Sequence, residues 1–185
     1  MPAIPEPYAL PRPIPDDALG KALAAADDRT RLILRLAAEA GLRRSEIAQV
    51  HSRDLSWTGT GWTLRILGKG AKERMVPLSD ELAETLQALP PGWALPATRG
   101  GAHLTPERVA NLAQNALPDP YTLHTLRHRF ATTAYRLTHD LLAVQQLLGH
   151  SNPATTRRYV GLDADALRSV VTAVAAVQLP PQHAA

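Results

Sequence analysis

Leu32, Ile33, Leu36, Ala37 and Ala40 recur at short helical steps, the stripe of a helix buried along one side. Asp28 is the expected cap of this helix and Gly41 its end. A helix capped by Asp16 is expected before it, to about Ala26, and a short one after it, from about Arg44 to Val50. The period then changes. Leu55 to Trp57 and Trp62 to Leu67 read as strands, with Thr58-Gly59-Thr60-Gly61 turning between them. Gly68 to Ala71 makes a second turn, and Lys72 to Pro77 returns as a third strand.

After Pro77 the helical period resumes. Ser79 caps a helix to about Leu89, and Pro90-Pro91-Gly92 breaks the chain. Thr105 followed by Pro106 is a cap with proline at the first helical position, opening a helix to about Ala116. The next runs from near His124 to about Leu137. Asp140 caps Leu141 to Leu148, and Gly149 stops that helix. Asn152-Pro153 opens a short helix that carries Tyr159. Asp163 caps a last helix with Leu167, Val170, Val171, Val174 and Val177 along one side. The fold class expected is mainly α with a small three-stranded antiparallel β-sheet.

Composition narrows this picture. The 185 residues suit a single domain with a real core. Hydrophobic residues make up 45% but aromatics only 4%, so the core must rest on Leu, Val, Ile and Ala. Six of the 16 prolines fall within residues 1–15, which read as a Pro-rich linker. Residues 180–185 read as a disordered tail. The chain has no Cys, which fits a reducing compartment. No apolar run reaches the roughly 18–20 residues of a membrane span, and the start lacks the pattern of a signal peptide. A cytoplasmic location is expected.

The net charge is +3, and its distribution says more than its size. Between Tyr121 and Val160, Arg127, Arg129, Arg136, Arg157 and Arg158 face one acid, Asp140. Arg65, Lys69, Lys72 and Arg74 stand against Glu73 around the second turn, and other acids gather at Asp16, Asp17, Asp27, Asp28, Asp80, Glu81 and Glu84. Such segregation gives one basic face for a polyanion.

His124-Thr125-Leu126-Arg127-His128 places an imidazole and a guanidinium on one face of a helical turn. Leu147-Leu148-Gly149-His150 puts a second imidazole after a helix stop, and Tyr159 follows, flanked by Arg157 and Arg158. These are parts for holding a phosphate and attacking it with a phenol. Guanidinium forks bind phosphate oxygens. A lysine makes a good proton donor, because its pKa moves readily. A tyrosine, with a free pKa of about 10, needs nearby cations and a base to act as nucleophile. His124 and His128 also form an H-x-x-x-H pair that could bind zinc, but the sequence offers no third ligand nearby. Gly68-Lys69-Gly70 lies between strands and lacks the helix of a nucleotide-binding loop.

The order of these elements resembles the tyrosine recombinase (phage integrase) family. Gly41-Leu42-Arg43-Arg44-Ser45-Glu46 is similar to its first arginine box, and Gly68 to Leu78 to its lysine-bearing hairpin. The paired histidine and arginine, the histidine after Leu-Gly and the tyrosine complete the set. The resemblance runs from about Pro13 to Leu162. It implies the fold of that family's catalytic domain over residues 16–162, and a docking helix over 163–179. It implies Arg43, Lys69, His124, Arg127, His150 and Tyr159 as catalytic residues. Arg44 competes with Arg43, and Lys72 with Lys69. Tyr159 would be the nucleophile, Arg43 and Arg127 the phosphate clamp, and Lys69 the acid for the leaving oxygen. His124 would be an acid/base or a phosphate donor, and His150 a second donor to that phosphate. Glu46 would orient Arg43, with the alternative of an acid favoured by the helix dipole. His128 would be a supporting residue. Lys72, Arg74, Arg129, Arg157 and Arg158 are expected to bind DNA. His51, His103, His139 and His183 read as surface or capping residues.

The activity so implied is site-specific DNA recombination through a 3′-phosphotyrosine, with no cofactor, no metal and no nucleotide. The partners implied are double-stranded DNA and further copies of the chain, four in the working assembly. A Xer-type or conjugative-element recombinase shares these motifs, and a non-catalytic DNA-binding descendant is the alternative from another class. Family members carry a core-binding domain ahead of the catalytic one. Here only the Pro-rich lead precedes Asp16, so a catalytic fragment or a shortened member is expected.

Overall fold

The computed structural model describes residues 13–68, 73–98, 101–149 and 164–178. Eight α-helices, one short 3-10 helix (Ser52–Asp54) and one sheet occur among them: α1 (Asp16–Ala25), α2 (Asp28–Glu39), α3 (Arg44–Ala48), β1 (Leu55–Trp57), β2 (Trp62–Leu67), β3 (Glu73–Pro77), α4 (Asp80–Gln87), α5 (Pro106–Ala116), α6 (Leu123–Thr138), α7 (Leu141–Leu148) and α8 (Ala164–Gln178). The sheet has the order β1-β2-β3 with both pairs antiparallel. The mainly helical fold with a small three-stranded sheet is as the periodicity predicts.

Two caps fall one residue from their expected positions. Pro15 precedes α1 as its cap, and Asp16 lies inside the first turn. Asp27 rather than Asp28 caps α2, its carboxylate accepting from the Thr30 N–H at 2.7 Å. Asp28 instead pairs with Arg31 at 2.7 Å within the first turn. With two adjacent aspartates, the one in extended conformation turns its oxygen back onto the helix end. Ser79, Thr105 and Asp140 cap α4, α5 and α7 as expected.

Leu64, Ile66 and Val76 turn the inner face of the sheet into the core. Arg74 pairs with Ile66 in the ladder and so shares that inner face. The helix α2 is the hub, with Leu32, Ile33, Leu34 and Leu36 all buried. A second apolar cluster joins Phe130 and Ala134 of α6, Val144, Leu147 and Leu148 of α7, and Leu167, Val170, Val171 and Val174 of α8. The last helix therefore docks on its own chain. Val177, expected on the buried stripe, is 48% exposed, and Ala175 is buried in its stead. Ala175 lies four residues after Val171, which keeps it over the core.

Gly41 ends α2 in the left-handed region, with φ of +64°. A Cβ there would meet Phe130 ring atoms at 2.6 and 2.9 Å, so both conformation and space require glycine. The sharp turn delivers Leu42 to the core and Arg43 to the start of α3. No helix among the described residues is long and apolar enough to cross a membrane.

Candidate active site

Arg43 stands at the N-cap of α3 and Glu46 one turn on. Glu46 Oε2 accepts from the Arg43 N–H at 2.8 Å, and Oε1 accepts from Arg43 Nη1 at 2.7 Å. One carboxylate thus satisfies a free helix-end donor and fixes a guanidinium beside it. The ion pair expected between Glu46 and Arg43 is present. Arg74 grips the same carboxylate with both prongs, Nη1 on Oε1 and Nη2 on Oε2, each at 2.8 Å. Burial alone would push the Glu46 carboxyl up. The Arg74 and Arg43 hydrogen bonds and the Arg74 charge outweigh burial and hold it down at about 2.

Arg127 approaches the same carboxylate from α6, its Nη1 at 3.9 Å from Glu46 Oε2. Its hydrogen bonds go to backbone oxygens: Nη1 donates to the Gly41 carbonyl, and Nη2 to that of Leu148 at 2.7 Å. Arg127 is 7% exposed. Burial, with help from the Arg43 charge, lowers its pKa to about 10, which leaves it charged at neutral pH.

The three arginines also share a second anchor. Arg74 Nε donates to the Leu147 carbonyl at 2.9 Å, Arg127 to Leu148, and Arg43 Nη2 to Gly149 at 3.4 Å. Three consecutive carbonyls at the C-terminal end of α7 each take one guanidinium. The end of a helix leaves such carbonyls unpaired and carries negative partial charge, so it suits cations. Gly149 takes the left-handed conformation there, with φ of +61°, and its next residue is His150.

His124 lies in the first turn of α6, where the hydroxyl of Thr125 accepts from the Thr122 N–H at 2.9 Å. Its ring meets His128 edge-on, with centroids 4.6 Å apart. Burial first, then the neighbouring His128 and Arg127, lower the His124 pKa. The ring is therefore neutral near pH 7, with a nitrogen free to accept a proton.

The structure brings Arg43, Glu46, Arg74 and Arg127 together, and places His124 and His128 on the helix of Arg127. Lys69, Lys72, His150, Arg157, Arg158 and Tyr159 lie outside the described residues. Two arginines expected to bind DNA have partners within the chain. Arg129 is 6% exposed, donates to the Ile14 carbonyl at 3.1 Å and pairs with Asp16 at 2.6 Å, so it ties the lead segment to α6. Arg74 is spent on Glu46 and Leu147 and faces inward. Its inner position was readable, because Arg74 is two residues from Val76 and strands alternate faces. Arg129 likewise follows Leu126 by three and precedes Thr133 by four, a buried spacing.

The chain matches the model of the phage integrase family over residues 14–90 and 96–165. It is 38% identical to the tyrosine recombinase XerC of Bradyrhizobium diazoefficiens, over 88% of this chain and 58% of that protein. Its fold resembles the integrase of mycobacterium phage Brujita with a TM-score of 0.77 and 26% identity, over 91% of this chain and 60% of that one. It also resembles the XerH site-specific recombinase bound to a palindromic difH substrate in a post-cleavage complex, with a TM-score of 0.65 and 25% identity, over 89% of this chain and 53% of that one. The chain thus spans a little under three fifths of the XerC protein it matches. With the family match covering most of its length and the arginine cluster in place, the chain belongs to the phage integrase family and has the fold of a tyrosine recombinase catalytic domain.

Proposed function

We propose that this chain cuts and rejoins DNA strands in site-specific recombination, with Tyr159 as nucleophile and Arg43 and Arg127 as the phosphate clamp. The observation that carries this is the approach of both guanidinium groups to one small anion, the Glu46 carboxylate. Groups that converge on a carboxylate are spaced to converge on a phosphate oxygen pair as well. The difH complex of XerH and the XerC likeness support double-stranded DNA as the partner.

The step balances without an external reactant. Tyr159 Oη bonds to phosphorus as the bond to the 5′ oxygen breaks, and Lys69 gives that oxygen its proton. The phenolic proton passes to His124, whose lowered pKa leaves it a free nitrogen. Arg43 and Arg127, and His150 as a further donor, stabilise the charge that builds on the phosphate. The 3′-phosphotyrosine stores the energy of the broken ester, and a 5′ hydroxyl from the partner strand reverses the step. Four copies on two DNA sites, in the bacterial cytoplasm, complete the reading. The catalytic unit would be residues 16–162, with 163–179 as a docking helix. The XerC likeness favours a Xer-type role, while the Brujita integrase favours a phage one. The chemistry is common to both.

The test uses nicked duplexes prepared from the source genome, incubated with the protein and resolved under denaturing conditions. A covalent protein–DNA adduct that disappears in Tyr159→Phe is expected. DNA binding with no adduct would leave a binding module in place of an enzyme.

A further inference from the structure

We infer that Arg74 is a positioning residue whose two-pronged pair with Glu46 takes up most of that carboxylate's charge, so that Arg127 stands off it and Arg43 gives it only one prong, leaving both for the phosphate. This rests on the functional reading above and adds a residue to it.

The argument begins with charge. Three guanidinium groups surround one buried carboxylate, so the cluster carries an excess of two positive charges. A phosphodiester carries one negative charge and gains a second as the tyrosine adds to phosphorus. The excess matches that second charge only while Arg74 is present. Without it, Glu46 would tighten its hold on Arg43 and draw Arg127 in from 3.9 Å, and the clamp would close on its own protein's anion. Coulomb attraction at such distances, away from bulk water, is strong enough to divert a flexible side chain.

Geometry agrees. Both terminal nitrogens of Arg74 lie 2.8 Å from Glu46 oxygens, and its Nε is 2.9 Å from the Leu147 carbonyl. Its side chain is 11% exposed. These three bonds point inward, toward α3 and the end of α7. A Cβ on Gly149 would come within 3.0 to 3.2 Å of the Arg74 side chain, so the chain ahead of His150 is shaped to admit it. Arg74 therefore joins β3, α3 and α7 at one point. By contrast, Arg127 bonds to neutral carbonyls and stands off from Glu46 at 3.9 Å, which is the arrangement of a cation held without being neutralised.

The test compares Arg74→Met, Glu46→Gln and the two combined, on a nicked duplex that gives the wild-type adduct. Adduct rate and duplex affinity are both measured. Arg74→Met is expected to slow adduct formation about 100-fold, the scale of losing one preorganised charge contact. Duplex affinity should change by less than about three-fold, because no phosphate contact is removed. Adding Glu46→Gln to Arg74→Met should then recover roughly ten-fold of the rate, since the misdirected anion is gone. If affinity falls as far as the rate, and Glu46→Gln adds a further loss, Arg74 touches DNA directly and the inference is wrong. Should Arg74→Met fail to fold, Arg74→Lys decides. It keeps the charge and is expected within about ten-fold of wild type; a variant as inactive as Tyr159→Phe overturns the inference. A wild-type chain with no Tyr159-dependent adduct sinks the functional reading and this inference with it. A wild-type adduct with Arg74→Met equally fast sinks the inference alone.

Discussion

Arg127 donates its Nη2 to the Leu148 carbonyl at 2.7 Å, so the helix before His150 ends on the arginine expected to clamp the phosphate. The residue does two jobs at once. It closes the carbonyl end of α7, and through Gly41 it also pins the turn that presents Arg43. Its replacement should therefore cost both stability and rate.

Arg127→Lys keeps the charge but cannot span both carbonyls. Each buried carbonyl left without a donor costs about 1–3 kcal/mol. The expected outcome is a loss of about 2 kcal/mol in denaturant unfolding, with adduct formation down at least about 100-fold. A variant with wild-type stability and only a weaker grip on DNA would show that Arg127 is a surface cation and not part of this junction.

Glu46 sets an acid limit on the fold. Its pKa is held at about 2, against an ordinary value of 4.5, so the unfolded chain takes up its proton first as pH falls. The stabilisation is complete above pH 4.5 and lost as pH drops toward 2. At its full extent it amounts to about 3 kcal/mol. Glu46→Gln should flatten the fall of melting temperature between those pH values. An unchanged acid slope in the variant would mean that other carboxylates set the limit.

The helices, the sheet and the caps at Ser79, Thr105 and Asp140 were legible because each rests on a short-range rule: a period, a turn residue, an oxygen facing a helix end. The pairing of Arg43 with Glu46 was legible from the likeness of Gly41 to Glu46 to the family's first arginine box. What could not be read was the meeting of Arg74, Arg127 and Glu46, which join three elements far apart in sequence. Charge counting puts Arg74 and Arg129 with the basic residues around the site, whereas their spacing from Val76 and Leu126 turns both inward. A guanidinium pays for burial only with several partners, and those partners, Glu46, Asp16 and the free carbonyls, come from distant segments.

Gly41→Ala tests a tight contact between two core elements. The new methyl would press on Phe130 at 2.6 Å, from a backbone in the left-handed region. Strain from that conformation and overpacking in the core each cost about 1–3 kcal/mol. The melting temperature should fall by at least about 4 °C for a chain of this size. The adduct rate should fall as well, because the Gly41 carbonyl holds Arg127 and the next turn carries Arg43. Calorimetry showing no change would mean that Phe130 moves aside freely and that the junction tolerates it.

The last helix closes the second apolar cluster, and Val174 is its most enclosed side chain, with no exposed surface. It sits in the layer formed by Phe130 and Ala134 of α6 and by Leu147 and Leu148 of α7, whose carbonyls hold Arg74 and Arg127. Burying Leu167, Val170, Val171 and Val174 contributes roughly 1.5–3 kcal/mol each before ordering costs. Val174→Asp would put an unpaired carboxylate into that layer, and the helix should release instead of burying it. The expected outcome is faster amide exchange in α8 and in the last turn of α7, with the rest of the chain still protected. Val177→Asp, at a position 48% exposed, is the control and should leave exchange unchanged. If Val174→Asp loosened α8 alone, with α7 as protected as before, the two ends of the cluster would be independent. Docking of the last helix would then have no hold on the carbonyls that carry the arginines.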